Sequence, residues 1–303
     1  PMLKRELMPS QLVLLEFIRA NNGRCIAGDE QGVGKTYPPL VYCYEEQVKT
    51  LILCPQNLVE NWKQEIRALF FEDDLLDKMF KVVGYDSHKE IDELSDWAQA
   101  VIVDEAHHLS DLKSKRHQKV LSLSKKISTL ILITGNSIKY WPIDFYSMLK
   151  LLGKDITKDK YIKRFFHYTF ENSRLTPIAL KASKLKFFIA PFYLRRGLSE
   201  IRKDLKGENS LHFIKLSPQE KKVYDEALKA RGVILSGSAI VNLNKSLSLL
   251  KLPHLIKYIR QVFKENPKKK LVVCSQFKEL FSGLREEFNF CATYPEKSQL
   301  TFL

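Results

Sequence analysis

Short apolar runs alternate with amphipathic stretches along the first part of the chain. The runs at residues 24–27, 51–54, 81–83, 100–103 and 130–133 have the length of buried strands, and the stretches between them favour helices. Strands that are apolar on both faces and separated by helices are typical of a parallel sheet covered on both sides. The pattern therefore predicts an α/β fold.

The pattern changes beyond the fifth predicted strand. Residues 141–185 look helical and basic and are rich in Phe and Tyr, and residues 187–194 look extended again. Residues 197–210 are charged and contain two glycines, as linkers often do. A helix is predicted to begin at Pro218, and a late strand at residues 271–274 precedes a last helix.

Composition excludes several classes of protein. The 303 residues are 45% apolar and 28% charged, which excludes wholesale disorder. No apolar run reaches the roughly 18 to 20 residues of a membrane helix, and no secretory leader opens the chain. The five cysteines are scattered without a CxxC pair, which argues against a disulfide scaffold or a zinc site. We therefore expect an intracellular protein.

The positive charge lies in the second half of the chain. Residues 1–150 carry 19 basic and 21 acidic side chains, whereas residues 151–303 carry 30 and 14. A polyanion such as nucleic acid is one partner for such a surface. A solvated Lys-rich face without a partner is the alternative, and charge alone does not decide between them.

A glycine-rich loop stands between the first predicted strand and the next helix. It reads Gly-Asp-Glu-Gln-Gly-Val-Gly-Lys-Thr over residues 28–36, with Asp29 where the strict GxxxxGK[ST] pattern has glycine. The alternative is a glycine-rich turn that happens to end in Lys-Thr. The strand before the loop and the helix after it favour nucleotide binding, because phosphates then meet a helix N-terminus.

The loop contains the side chains that phosphate binding needs. Gly32 and Gly34 permit the turn that points backbone N–H groups inward. Lys35 is placed to reach the β- and γ-phosphates, and Thr36 is placed to bind Mg²⁺ through its hydroxyl.

Two carboxylates follow the fourth predicted strand. Asp104 is suited to hold Mg²⁺, mostly through water, and Glu105 is suited to polarise the water that attacks the γ-phosphate. Alone, the pair would more often cap a helix. Together with Lys35 and Thr36 in one βαβ array, it indicates a catalytic site at the carboxyl ends of the strands.

The motifs in their order resemble those of the superfamily 2 helicase-like ATPases, and within them the Swi/Snf-type DNA translocases. The matching segments lie throughout the chain: LMPSQ at 7–11, DEQGVGKT at 29–36, LCP at 53–55 with NWKQE at 61–65, DEAH at 104–107, Thr134-Gly135, FYLRR at 192–196, IKLSPQEKKVY at 214–224 and LVVCSQF at 271–277. Each segment alone is weak, but the ordered set is specific.

The resemblance implies a RecA-like parallel sheet with helices on both faces, helical insertions and an incomplete second RecA-like lobe. Residues 1–200 would form the ATP-binding lobe, with a helical insertion at about 141–185. Residues 201–303 would hold a linker, a helical segment and the truncated start of the second lobe. ATP would bind between the lobes, and double-stranded DNA would lie across both. In a eukaryote the location would be the nucleus, and otherwise it would be the cytoplasm or a viral setting.

The resemblance also implies roles for single residues. Lys35, Asp104 and Glu105 would be catalytic, with Thr36 and Asp104 on Mg²⁺. The nucleotide site would comprise Gln11, Gly32, Val33, Gly34, Lys35, Thr36 and His107, and contact with DNA or coupling to it would involve Pro55, Thr134, Gly135, Arg195 and Arg196. Ion pairs between lobes are the alternative for the two arginines. Trp62 could stack on a base, but its helical spacing favours the core.

Two departures from the family pattern stand out. Asn136-Ser137 replace Thr-Pro after Thr134-Gly135. The later glycine-rich and QxxRxxR motifs do not occur before Leu303, and the second of these supplies an arginine finger that accelerates phosphoryl transfer about 10³- to 10⁵-fold. We therefore expect a fragment or a naturally truncated relative that binds ATP and hydrolyses it weakly. A DNA translocase, a strand-separating helicase and a hydrolysis-poor ATP- and DNA-binding module all stay open.

Overall fold

The computed structural model describes residues 3–71, 74–135, 142–171, 174–201, 213–233, 237–288, 292–293 and 300–302. The chain divides into two compact units, Pro1–Gly207 and Glu208–Leu303. The first unit contains the predicted phosphate loop and both carboxylates. No helix in the described part of the chain is long and apolar enough to cross a membrane.

The first unit alternates strands and helices. Its elements in chain order are α1 (Pro9–Ala20), β1 (Arg24–Ala27), α2 (Tyr37–Glu45), β2 (Thr50–Cys54), α3 (Val59–Leu69), α4 (Leu75–Lys78), β3 (Phe80–Gly84), α5 (His88–Glu93), β4 (Ala100–Val103), α6 (Lys115–Lys126), β5 (Thr129–Ile133), α7 (Phe145–Leu151), α8 (Lys158–Phe165), β6 (Phe166–Glu171), β7 (Arg174–Leu180), α9 (Ala182–Ile189), β8 (Tyr193–Leu194) and α10 (Leu198–Ile201).

Six of these strands form one parallel sheet in the order β3-β2-β4-β5-β1-β8. The five apolar runs of the sequence are its first five strands, which confirms the predicted α/β class. Their continuous apolar character follows from burial on both faces, since a parallel sheet needs cover on each side.

The sheet separates two cores. Along β2, Leu51 and Leu53 pack with residues of α5 to α9, whereas Ile52 and Cys54 pack with residues of α1 to α4. This alternation follows the two-residue period of a strand. The helices on both faces, as predicted, hold the sheet rigid behind the site at its carboxyl edge.

The segment that looked helical throughout contains a hairpin. Strands β6 and β7 pair antiparallel between α8 and α9, with an irregularity between His167 and Tyr168. The reason is that side chains here alternate in exposure with the period of a strand, as in Tyr168-Thr169-Phe170. The extended segment is also shorter than expected: α9 continues to Ile189, and only Tyr193–Leu194 join the sheet.

The second unit is mainly helical. Its elements are α11 (Pro218–Val233), α12 (Gly237–Leu250), α13 (Leu252–Glu265), β9 (Val272–Cys274), α14 (Lys278–Glu287), β10 (Ala292–Thr293) and β11 (Leu300–Phe302). Pro218 is the first residue of α11, as predicted. Strand β9 pairs antiparallel with β11, which in turn pairs antiparallel with β10. Most of the predicted linker, residues 202–210, lies outside the described residues.

Candidate nucleotide-binding and catalytic site

The predicted catalytic segments meet at one edge of the sheet. The phosphate loop follows β1, Asp104 follows β4 and Thr134 follows β5. Backbone hydrogen bonds fix this arrangement: Thr134 N donates to the Ala27 carbonyl at 3.0 Å, and Asp104 N donates to the Leu53 carbonyl at 2.8 Å. The carboxyl edge of an open parallel sheet is the usual place for a ligand site.

Gln11 fits closely against the phosphate loop. Gly32 and Gly34 have φ angles of 82° and 81°, the left-handed conformation that glycine adopts without strain. Gln11 Nε2 donates to the Gly34 carbonyl at 3.0 Å and would lie 2.5 Å from a Cβ atom at Gly34. Its Oε1 accepts from Met8 N at 2.9 Å, which fixes the amide orientation. Gln11 and the loop residue Val33 are both buried.

The Lys35 ammonium lies inside the loop. Its Nζ donates to the backbone carbonyls of Asp29 and Glu30, at 2.7 Å each. Burial lowers the pKa of Lys35, and the carboxylates of Asp29, Glu105 and Asp104 partly offset this effect. The ammonium is therefore held by two backbone carbonyls of the loop.

Thr36 and Asp104 supply hard oxygen donors of the kind that Mg²⁺ prefers. Thr36 is the N-cap of α2, and within the described part of the chain its hydroxyl makes no capping hydrogen bond. The described residues contain no group of three or more His, Cys, Asp or Glu side chains that could hold a metal ion by themselves. A site shared with phosphate oxygens fits this donor set.

Both oxygens of the Asp104 carboxylate are oriented by hydrogen bonds. Trp62 Nε1 donates to Oδ2 at 2.8 Å, and Glu105 N donates to Oδ1 at 2.9 Å. The Tyr85 hydroxyl donates to the Asp104 backbone carbonyl. Burial raises the pKa of Asp104, and the Trp62 indole opposes this effect.

Trp62 belongs to the core, as its spacing predicted, and it also contacts the site. Helical spacing alone does not reveal this second role. The available signal was that a buried indole N–H usually finds an acceptor.

Glu105 has a strained backbone and a histidine beside its carboxylate. Its φ and ψ of 47° and 48° are left-handed, which is uncommon outside glycine. His107 Nδ1 lies 3.2 Å from Glu105 Oε2 and 3.0 Å from Thr134 Oγ1. The His107 ring lowers the pKa of the Glu105 carboxyl, although burial acts in the opposite direction.

The segment after β5 lies tightly against the phosphate loop. A Cβ atom at Gly135 would lie 2.6 Å from Gln31 Cγ, so only glycine fits there without a shift. Asn136-Ser137 lie outside the described residues. Pro55 follows β2 at the same sheet edge, where it starts a short 3-10 turn.

Arg195 and Arg196 bind the phosphate loop within the first unit. The Arg196 guanidinium contacts the buried Asp29 carboxylate and donates to the Ser10 carbonyl at 2.9 Å. Arg195 donates to the Gly28 carbonyl at 3.4 Å, and Nη2 lies 3.8 Å from Glu30 Oε1. These contacts explain why an aspartate stands at position 29 in place of the consensus glycine.

Comparisons with known proteins agree on one family. A family model described as the SNF2-related domain matches residues 79–265. Protein CHROMATIN REMODELING 19 of Arabidopsis thaliana is 24% identical over 84% of this chain, and the bovine (Bos taurus) DNA annealing helicase and endonuclease ZRANB3 is 28% identical over 54%. The matches span 39% and 18% of those two proteins.

A solved structure shares the fold. The Sulfolobus solfataricus SWI2/SNF2 ATPase core in complex with dsDNA superimposes with a TM-score of 0.55 at 18% identity. The match covers 94% of this chain and 70% of that one.

Proposed function

The chain belongs to the SNF2-related domain family, and we propose that it is the ATP-hydrolysing core of a double-stranded DNA translocase of the remodelling type. The observation that carries the proposal is the meeting of Lys35, Asp104 and Glu105 at one sheet edge, behind a loop with two left-handed glycines. This arrangement binds a nucleoside triphosphate and places a carboxylate for water activation.

The nucleotide site uses backbone and side-chain groups together. The N–H groups around Gly32, Val33 and Gly34 bind phosphate oxygens, and Lys35 neutralises their charge. Gln11 supports the loop from the adenine side. Thr36 and Asp104 would hold Mg²⁺, which lowers the repulsion between the phosphates and the attacking water.

Glu105 is the proposed base. Its lowered pKa keeps the carboxylate ionised at neutral pH, so that an oxygen is ready to accept a proton from the attacking water. His107 touches both this carboxylate and Thr134, and it thereby links the base to the segment after β5. We propose that Pro55, Thr134 and Gly135 transmit DNA contact along this link.

In this proposal, Arg195 and Arg196 act on the phosphate loop directly and not through His107. Arg196 fixes the phosphate loop through Asp29, and the half-exposed Arg195 stays available for a partner. Residues 1–200 would act as the ATP-binding lobe and residues 201–303 as the link to the second lobe. The chain spans well under half of its curated relatives, so the whole protein's DNA target and intracellular location, nuclear in a eukaryote, belong to the same proposal.

The test is the ATPase rate of this chain with and without duplex DNA. We expect a duplex-stimulated rate above that of Glu105→Gln, and we expect Lys35→Ala to lose stabilisation by Mg-ATP, which Glu105→Gln keeps. Normal turnover by Glu105→Gln would overturn the base assignment. Duplex DNA without effect on wild type would overturn DNA coupling, and displacement of a strand from a forked duplex would favour a helicase.

A further inference from the structure

Aromatic side chains change from buried to exposed along β6. Phe165 and Phe166, at the junction with α8, are fully buried in the core. Tyr168 is 42% exposed, and Phe170 is 71% exposed. The first two rings hold the hairpin to the sheet, but packing within the unit does not require the last two.

The two exposed rings lie on one face of the hairpin. Tyr168, Thr169 and Phe170 pair in regular register with Pro177, Thr176 and Leu175. Residues two apart on a strand point to the same side, about 7 Å apart. Half-buried Thr169 between them points to the other side. Rings at this spacing can stack on successive bases of a strand whose bases are not paired.

The helices beside the hairpin are rich in cations without a carboxylate partner in the described part of the chain, and one of these, Arg164, lies over the rings of Phe165 and Phe188. Residues 158–187 contain eight Lys or Arg and two Asp or Glu. Helix α8 packs against both hairpin strands and against α9. Six exposed cations of α8 and α9 have no carboxylate partner in the described part of the chain: Lys158, Lys160, Lys163, Arg164, Lys184 and Lys186.

Helix α6, on the same face of the sheet, is different. Its Arg116 pairs with Asp86 at 2.6 Å, Lys126 pairs with Asp96 at 2.8 Å, and Lys119 pairs with Asp92. Three of the five Lys or Arg side chains of α6 therefore have a carboxylate partner, whereas the six exposed cations of α8 and α9 have none in the described part of the chain. They suit a polyanion better than a neutral protein surface.

We propose that the hairpin β6–β7 binds an unpaired DNA strand, with Tyr168 and Phe170 stacking on its bases and the cations of α8 and α9 on its phosphates. This inference rests on the proposed function, since it adds a single-strand contact to a duplex-DNA motor. It assigns the exposed aromatic residues a role that the nucleotide site does not use.

The first test is binding of a fluorescein-labelled oligothymidine of about 20 nucleotides, without ATP. The double variant Tyr168→Ala/Phe170→Ala should bind about 25-fold more weakly, or about fivefold for each ring. Its control is Phe71→Ala, because Phe71 is also exposed but lies just after α3, outside the hairpin. Affinity for a blunt duplex should not change. Unchanged oligothymidine binding, or an equal loss on duplex, would overturn the proposal.

The second test separates stacking from phosphate contact. For a single strand, each phosphate contact contributes about 0.7 to the slope of log affinity against log salt concentration. Lys184→Gln/Lys186→Gln should lower that slope by about 1.4, while the aromatic double variant leaves it unchanged. The control Lys119→Gln/Lys126→Gln removes cations that are already paired. An unchanged slope in Lys184→Gln/Lys186→Gln would remove the phosphate contacts from the proposal.

The third test detects stacking directly. Tryptophan fluorescence of Tyr168→Trp should be quenched by oligothymidine, and that of Phe71→Trp should not. Equal fluorescence with and without oligothymidine in Tyr168→Trp would overturn the stacking. These measurements need no hydrolysis, so a chain without ATPase activity can still pass them, and an active ATPase can still fail them.

Discussion

Asp29 and Arg196 form a buried ion pair that ties the phosphate loop to the end of the first unit. The two residues are 167 positions apart, and Arg196 contacts the carboxylate with its backbone N–H at 2.8 Å as well as with its guanidinium. The Asp29 side chain is 1% exposed and that of Arg196 17%. The loop is therefore positioned from both sides, by Gln11 and by Arg196.

Removing one partner of this pair should strongly destabilise the first unit. Arg196→Ala leaves the Asp29 carboxylate buried without its cation, and we expect a loss of about 3 to 5 kcal/mol in the free energy of unfolding. Urea unfolding of wild type, each single variant and Asp29→Ala/Arg196→Ala measures it. The double variant should lose less than the sum of the singles.

The matched control is the more exposed pair Arg116–Asp86, whose two side chains are 39% and 63% exposed. Arg116→Ala should lower the free energy of unfolding by only about 0 to 1 kcal/mol. Equal losses for Arg116→Ala and Arg196→Ala, or strict additivity in the cycle, would contradict the assignment.

The sheet and most of the site could be predicted because their signals are local. Strands buried on both faces read as continuous apolar runs, and the phosphate loop and Asp104-Glu105 are contiguous in sequence. The Asp29–Arg196 pair has no local signal, since its two halves come together only when β8 joins β1 at the sheet edge. The resemblance named these arginines, but the sequence left their partner open.

The hairpin was missed for a different reason. Its aromatic residues follow α8 without a turn residue, and Phe165-Phe166 continue the apolar face of that helix before the period changes to two. A basic aromatic segment therefore looked helical as a whole.

Trp62→Phe should weaken the response to Mg²⁺. The ring still fills the core, but Asp104 Oδ2 loses its indole donor, and the carboxylate becomes less well oriented and harder to ionise. Loss of such a supporting hydrogen bond typically lowers metal affinity about 10- to 100-fold. Thermal stabilisation by ATP, titrated with MgCl₂, is the measurement.

Trp97→Phe is the control, because Trp97 packs at the edge of the core away from Asp104. Stabilisation by ATP in EDTA should be the same in wild type and both variants. If Trp62→Phe needed the same MgCl₂ concentration as wild type for stabilisation by ATP, the indole would contribute packing alone.

The left-handed backbone at Glu105 should reverse the usual order of stability, in which an alanine variant is more stable than a glycine variant. Glu105→Gly relieves a conformation that costs a residue with a Cβ atom about 1 to 2 kcal/mol, whereas Glu105→Ala keeps the strain. We therefore expect Glu105→Gly to be the more stable of the two by about 1 kcal/mol. Both variants lack the carboxylate, so urea unfolding compares backbone strain alone.

Gln64 in α3 provides the matched position, since it is exposed in an ordinary helix. At that position, the free energy of unfolding of Gln64→Ala should exceed that of Gln64→Gly by about 1 kcal/mol. The same order at both positions would refute strain at Glu105.

His117 should make the first unit less stable as the pH falls below neutrality. The side chain is completely buried, its Nδ1 hydrogen-bonds the Leu109 carbonyl at 2.9 Å, and Nε2 has no partner among the described residues. Burial lowers the pKa of His117 below 6.5. The unfolded chain therefore binds the proton more readily, so this contribution is fully present above pH 6.5 and is lost as the pH falls towards the folded pKa.

His117→Asn tests this, because the Asn amide can still donate to Leu109 and does not titrate. Below pH 6.5, the free energy of unfolding of wild type should fall more steeply than that of the variant, by up to about 1.4 kcal/mol per pH unit. Urea titrations at several pH values measure both slopes, and the other histidines cancel in the comparison. Parallel slopes would mean that His117 is protonated equally in the folded and unfolded states.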